Sequence, residues 1–270
     1  MKKLIIKANG QKVPFDPNKI ESTCVRAGSS RRVAKKIARQ VYHMIEHEST
    51  TKQIYKIVLN LLAKNVNTAT KHRYRLKESI MQMGPAGFSF ETYVGQILIN
   101  FGYKVKSIRT EINGKCVKHE IDLVVVSENG NRWLVECKYH NKAGRYTGLK
   151  DSLYTHARFL DLTDKFDDEL LVCNTKVSSD VKTYAKCVEQ KILSWRHPAD
   201  LSLEKMIELK KLYPITILNP TKNELELFVK SNLMISKNLL EMTIKELCEL
   251  TKIPHKRIIA LQDLARQVIS

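Results

Sequence analysis

The chain has 270 residues, 43% of them hydrophobic and 7% aromatic, which supplies more than one buried core and excludes disordered and collagen-like classes. Its net charge of +18 is unevenly spread, +13 over residues 1–84, +3 over 85–220 and +2 over 221–270. Attraction for polyanions such as nucleic acid or a nucleotide triphosphate is therefore concentrated in the first third, unless those lysines serve solubility alone.

In chain order, residues 3–7 and 11–15 are short alternating segments around Asn9-Gly10, a hairpin-turn dipeptide. Helical periodicity follows over about 18–28, 30–47, 50–64 and 66–82, with Gly28-Ser29-Ser30 and Ser49-Thr50 as breaks and caps. Met83-Gly84-Pro85-Ala86-Gly87 is a helix stop and linker. Beyond it come a helix over 88–101, strands near 103–110, 117–127 and 132–139, helix 148–162, strand 169–174, helix 178–190 and strand 191–196. A helix at 201–212 and a strand at 215–218 precede the Asn219-Pro220 break, and residues 221–270 read as wholly helical. Three units are expected: 1–84 (a hairpin and four helices), 85–220 (a layered α/β core around a mixed sheet) and 221–270 (a small helical domain). The six cysteines have no C-x-x-C pair and no regular spacing, which excludes a zinc ribbon or disulfide framework and fits a reducing, cytoplasmic setting. No apolar run reaches the roughly 20 residues of a membrane span, and Lys7 interrupts any signal-peptide core, so no membrane partner is expected.

The chemistry concentrates in the central unit. Asp122 enters an apolar strand, and Glu136-Cys137-Lys138 ends the next, where alternation puts Glu136 and Lys138 on one face. Two carboxylates suit a hard cation such as Mg²⁺ or Mn²⁺, which takes one or two carboxylates with water and substrate phosphate. An ammonium beside them can orient water or stabilise a charged phosphate. Asp122 faces Glu136 only across a loop of odd length, such as Glu128-Asn129-Gly130 with Gly130 left-handed; a two-residue Asn129-Gly130 turn would pair Asp122 with Cys137. A D…E-x-K set also arises by chance on solvated strands, but carboxylates in apolar strands are costly and more often functional.

Gly87-Phe88-Ser89-Phe90-Glu91, Phe101-Gly102-Tyr103-Lys104-Val105, Glu120-Ile121-Asp122-Leu123 and Val135-Glu136-Cys137-Lys138, with Leu171-Val172-Cys173-Asn174-Thr175 and an Ala185 helix, resemble Mrr-type restriction endonucleases of the PD-(D/E)xK superfamily. The resemblance covers about residues 85–196. It implies a restriction-endonuclease-like core hydrolysing DNA phosphodiesters, with Asp122 and Glu136 as metal ligands, Lys138 as catalytic lysine and Glu91 completing the site. Ile121 stands where that family usually has proline, and many relatives have glutamine in place of Glu136.

Ile6-Lys7-Ala8-Asn9-Gly10 followed by Val13-Pro14-Phe15-Asp16-Pro17-Asn18-Lys19-Ile20 resembles the start of an ATP-cone domain, over about residues 3–82. The resemblance implies ATP or dATP as effector, with Lys7, Asp16 and Lys19, and less directly Thr51, Tyr55 and Arg75, contacting nucleotide. Ala8 replaces an arginine common in that family. No G-x-x-x-x-G-K-[ST] loop is present, so nucleotide would act as an allosteric ligand, altering oligomeric state or access to the site, and not as fuel. The competing function is a nucleotide-sensing DNA-binding regulator without cleavage. His43 and His47, four apart, read as a solvated face sooner than a metal chelate, and His140 lies beside the site or on its rim. Thr243-Ile244-Lys245-Glu246-Leu247 with Ile253-Pro254-His255-Lys256-Arg257 and Leu261 resembles a degenerate helix-hairpin-helix unit lacking the hairpin glycines, so packing or dimer contact is an equal reading.

Overall fold

A computed structural model describes residues 3–84 and 87–270. Pro85 and Ala86, at the heart of the expected linker, lie outside the described residues, as do Met1 and Lys2.

The basic first third opens with strands β1 (Leu4–Ile6) and β2 (Lys12–Pro14), antiparallel around a turn that Lys7 N closes on Gln11 O at 2.9 Å. Gly10 takes φ +82°, the left-handed conformation that made Asn9-Gly10 a turn signal. A two-residue strand β3 (Ser49–Thr50) adds to β1 in parallel, making the hairpin a three-stranded sheet. Helices α1 (Pro17–Arg26), α2 (Arg31–Met44) and α3 (Thr51–Asn65) start where Asp16, Ser30 and Thr50 accept backbone N–H bonds; at α3, Gln53 completes a capping box. The single helix expected over 66–82 is two, α4 (Thr68–Tyr74) and α5 (Leu76–Met81), parted at Arg75 where ψ is 1°. His43 and His47 do not share a helix, because α2 ends at Met44; the His47 ring accepts a long 3.5 Å bond from Leu4 N instead. Cys24, Ile37, Val41, Ile54, Val58 and Leu62 close this unit's core.

Next come α6 (Phe88–Asn100), β4 (Lys104–Asn113), β5 (Lys118–Val126), β6 (Arg132–Lys138), β7 (Tyr146–Thr147), α7 (Leu149–Asp161), β8 (Asp168–Cys173), β9 (Lys176–Val177), α8 (Ser179–Cys187), β10 (Lys191–Leu193) and α9 (Leu203–Lys210). The five-stranded sheet has the order β10-β8-β6-β5-β4; β4, β5 and β6 are antiparallel neighbours, while β6, β8 and β10 run parallel. Between β5 and β6, Ser127 N bonds Asn131 O at 2.9 Å and Gly130 sits at φ +90°, so the connection is the odd three-residue loop expected. Short β7 and β9 pair in parallel beside the main sheet.

The expected strand at 215–218 is a 3-10 turn, Ile215–Leu218, with all four residues buried. A short apolar run rich in β-branched residues has the composition of a buried strand, and here it plugs a core, with a single bridge at its start where Ile215 N bonds Met234 O at 2.8 Å. Helices α10 (Lys222–Lys230), α11 (Ile244–Thr251) and α12 (His255–Ile269) follow, with a 3-10 turn at Ser236–Leu240. Phe228, Leu247, Leu261 and Ala265 join Tyr93 and Ile97 of α6 and Leu123 of β5 in one continuous apolar cluster. The protein is thus a mixed α/β multidomain chain with a small N-terminal sheet and a central mixed sheet.

Candidate functional site

The β5–β6 register pairs Leu123 with Val135, Val124 with Leu134, Val125 with Trp133 and Val126 with Arg132. One step further along the same register, Asp122 stands across from Glu136. There the ladder ends, and an Asp122 carboxylate oxygen accepts the Cys137 N–H at 2.7 Å. On the other side of β5 the β4 pairing skips the Arg109–Asp122 step, and Arg109 adopts φ +50°. Face alternation slips at the same point: Ile121 packs with Val124 and Leu134, whereas Leu123 packs with Val125 and Val135. Such a ladder irregularity re-aims a single side chain, and a non-glycine residue at positive φ costs about 1 kcal/mol or more.

Glu136 is held from two sides. Lys138 Nζ lies 2.7 Å from one oxygen, and the buried Arg158 guanidinium of α7 binds the other. Glu91, buried on the first turn of α6, has Arg109 Nε 3.5 Å from Oε2, and among the described residues that oxygen is a buried acceptor without a hydrogen-bond partner. The structure therefore brings Asp122, Glu136, Lys138 and Glu91 into one electrostatic neighbourhood. Burial first, and then the Glu136 charge, push the Asp122 carboxyl up to about 6. Burial and the Asp122 charge push Glu91 to about 7. Burial draws the Lys138 ammonium down, but its hydrogen bond and charge pairing with Glu136 outweigh this and leave it above the ordinary lysine value. His140 is on the rim: its N–H bonds Asn174 Oδ1 at 2.9 Å and its ring reaches Thr147 at 3.1 Å.

Three buried or half-buried carboxylates, two of them raised chiefly by burial, gather in one place, and that oxygen donor set fits a hard divalent cation. Among the described residues no three His, Cys, Asp or Glu side chains close into a cage, so water and phosphate oxygens would have to complete the shell of such an ion.

A second feature is a cleft of about 700 Å³ lined by Lys7, Thr51, Lys52, Tyr55 and Lys77, and by Ala143 and Gly144 of the β6–β7 loop, within the size range of small-molecule sites. Tyr55 donates to Glu78 at 2.6 Å and stacks on Tyr74 at 5.6 Å. Lys7, Thr51 and Tyr55 among the expected nucleotide contacts line this cleft. Arg75 stands one step behind, bonded to Glu78 at 3.2 Å. Asp16 and Lys19 do not reach it: Asp16 caps α1 through Asn18 N at 3.0 Å, and Lys19 pairs with it at 3.8 Å.

Arg158, Arg109, Lys52 and Lys77 escaped sequence reading. Arg158 follows Thr155 by three and precedes Leu162 by four, all buried, so an arginine in the inward stripe of an amphipathic helix was the available signal. Burial lowers Lys77 to about 8, and its ammonium lies 5.5 Å from the Trp195 ring centre. In the C-terminal unit Arg257 is bound to Glu224 at 2.8 Å, which makes it a packing residue there.

Residues 3–79 match the family model described as ATP cone domain. An uncharacterized protein of Archaeoglobus fulgidus is 37% identical over 158 residues, 58% of this chain and 89% of the relative. The crystal structure of a protein of unknown function, AF1548, is 34% identical with a TM-score of 0.63, covering 68% of this chain and 98% of that one. A repair endonuclease from Pyrococcus abyssi superposes with a TM-score of only 0.30 at 16% identity, over 37% of this chain and 41% of that one, a level that distinguishes nothing. No helix among the described residues is long and apolar enough to cross a membrane. On these matches the chain carries an N-terminal ATP cone domain and belongs to the family of the uncharacterized Archaeoglobus fulgidus protein.

Proposed function

We propose that the protein is a DNA endonuclease hydrolysing phosphodiester bonds, with ATP or dATP bound at the cone as an allosteric effector. The observation that carries this reading is Asp122 standing across from Glu136 at a broken ladder, with Lys138 2.7 Å from Glu136. Asp122 and Glu136 would hold Mg²⁺ or Mn²⁺, with the unsatisfied Glu91 oxygen nearby. When bound, the cation lowers the pKa of its water and offsets charge growing on the phosphodiester.

The chain's own groups divide the remaining work. The Cys137 N–H fixes the orientation of the Asp122 carboxylate. Arg158 pins Glu136 so that its free lone pairs point in one direction. Lys138, its ammonium favoured by the pairing with Glu136, stabilises the anionic phosphate and orients the attacking water. Glu91, poised near neutrality, can take up or release a proton at the site. The basic first third would supply sequence-independent affinity for the DNA backbone.

The test is nicking of supercoiled plasmid with Mg²⁺ present. Lys138→Ala is expected to lower the rate by about 10²–10³-fold, the usual cost of losing one preorganised charge donor, while DNA affinity stays within about twofold. Equal cutting by wild type and Lys138→Ala would refute the assignment. Binding of DNA by wild type without any cutting would leave a nucleotide-sensing DNA-binding regulator as the function.

A further inference from the structure

Gly144, in the loop that leaves β6 six residues after Lys138, is pressed against the cone's hairpin turn. A Cβ built on it would lie 3.3 Å from Asn9 N and 3.4 Å from the Ala8 Cβ, and its own φ is +83°. With Ala143, it lines the 700 Å³ cleft together with Thr51 and Tyr55. The loop is tied at both ends. At its start, His140 N bonds Asn174 Oδ1 and Asn174 Nδ2 returns a bond to His140 O at 2.8 Å. At its end, Thr147 pairs with Val177 and receives the His140 ring at 3.1 Å. Asp151, just beyond on α7, is one of the charges acting on both Lys138 and His140. A short tethered span therefore joins the cleft wall to the lysine of the candidate active site.

We infer that the nucleotide site is shared between two units: the cone supplies Lys7 and Lys52 as phosphate partners, and the β6–β7 loop of the central unit closes the site through Ala143 and Gly144. This rests on the reading of the cone as a nucleotide binder, and adds that the effector touches the loop that follows Lys138. The chemical fit is to a nucleoside triphosphate. Lys7 and Lys52 answer its charge, while the one carboxylate of the lining, Glu78, is taken up by Tyr55 and Arg75. An occupant of this size would push on Gly144, and the His140–Asn174 and Thr147–Val177 tethers would pass the displacement back toward the end of β6.

Two measurements on the full chain test it, both in EDTA so that no cleavage intervenes. Hydrogen–deuterium exchange with and without ATP should show slowed exchange over 140–147 together with 6–10 and 50–56. Protection of the hairpin and α3 with none in 140–147 overturns the shared site and leaves the nucleotide reading standing; no protection anywhere removes both. Separately, Ala143→Glu lies outside the cone on an exposed residue, so it should fold normally by thermal melting. Its carboxylate would face the triphosphate and weaken ATP binding by on the order of tenfold in calorimetric titration. An affinity equal to wild type contradicts the proposal.

Discussion

Asp122 and Glu91 carry a cost that the fold accepts in place of packing. Both acids hold protons in the folded chain at pH values where the unfolded chain, titrating near 3.8 and 4.5, has released them. The folded state therefore loses stability as pH rises from about 4 to about 7, the direction linkage requires for raised carboxyl pKa values. Thermal melts in EDTA should show a midpoint falling by several degrees across that window. Asp122→Asn should flatten the slope and raise the midpoint at pH 7.5 while abolishing cleavage; a variant less stable than wild type at pH 7.5 would contradict the account of carboxylates strained by burial. Added Mg²⁺ should restore the lost stability in wild type and do nothing for Asp122→Asn. The four acid and lysine positions were legible from strand alternation and family likeness. Arg158 and Arg109 were not, since Arg158 reaches Glu136 only through the packing of α7 on β6, and Arg109 nears Glu91 only through the irregular step of the β4–β5 pairing.

The β5–β6 hairpin sets everything the site needs, because a one-residue change in loop length would exchange the faces of Glu136 and Cys137. Gly130 has φ +90° and open space around its missing Cβ. Gly130→Ala therefore tests backbone strain alone, and should cost about 1 kcal/mol, seen as a drop of about 2–4 °C in the melting midpoint. An unchanged midpoint would show that the turn does not require the left-handed conformation. The odd loop was legible because only one parity lets the two carboxylates meet. The cap at Thr50 was likewise legible, a hydroxyl placed just ahead of a periodic run, whereas Ser30 read only as part of a break. Two-residue β3, β7 and β9 were not, being shorter than one period of any pattern, and the 3-10 turn at Ile215–Leu218 was mistaken for a strand because its residues are strand formers. The break at Arg75 has neither proline nor glycine to announce it.

At the scale of the whole molecule, the C-terminal helices are joined to the central sheet by burial. Phe228, Leu247, Leu261 and Val268 share the apolar cluster that contains Tyr93 of α6 and Leu123 of β5. Removing residues 221–270 should expose that cluster and give aggregated protein by size-exclusion chromatography; a soluble, cooperatively melting truncation would show that the cluster is dispensable. The first third keeps a core of its own around Ile37 and Val58 and meets the central unit where Gly144 touches Ala8 and where the His72 ring reaches Ile217 O at 3.2 Å. That layout joins the proposed effector cleft to the proposed phosphodiester site through one loop. The most direct measurement is conversion of supercoiled plasmid to nicked or linear forms by the full chain in Mg²⁺ or Mn²⁺, with ATP, dATP or neither. The account predicts metal-dependent cutting whose rate changes with nucleotide. Intact plasmid under every metal and nucleotide condition, with the protein folded and bound to it, would contradict it.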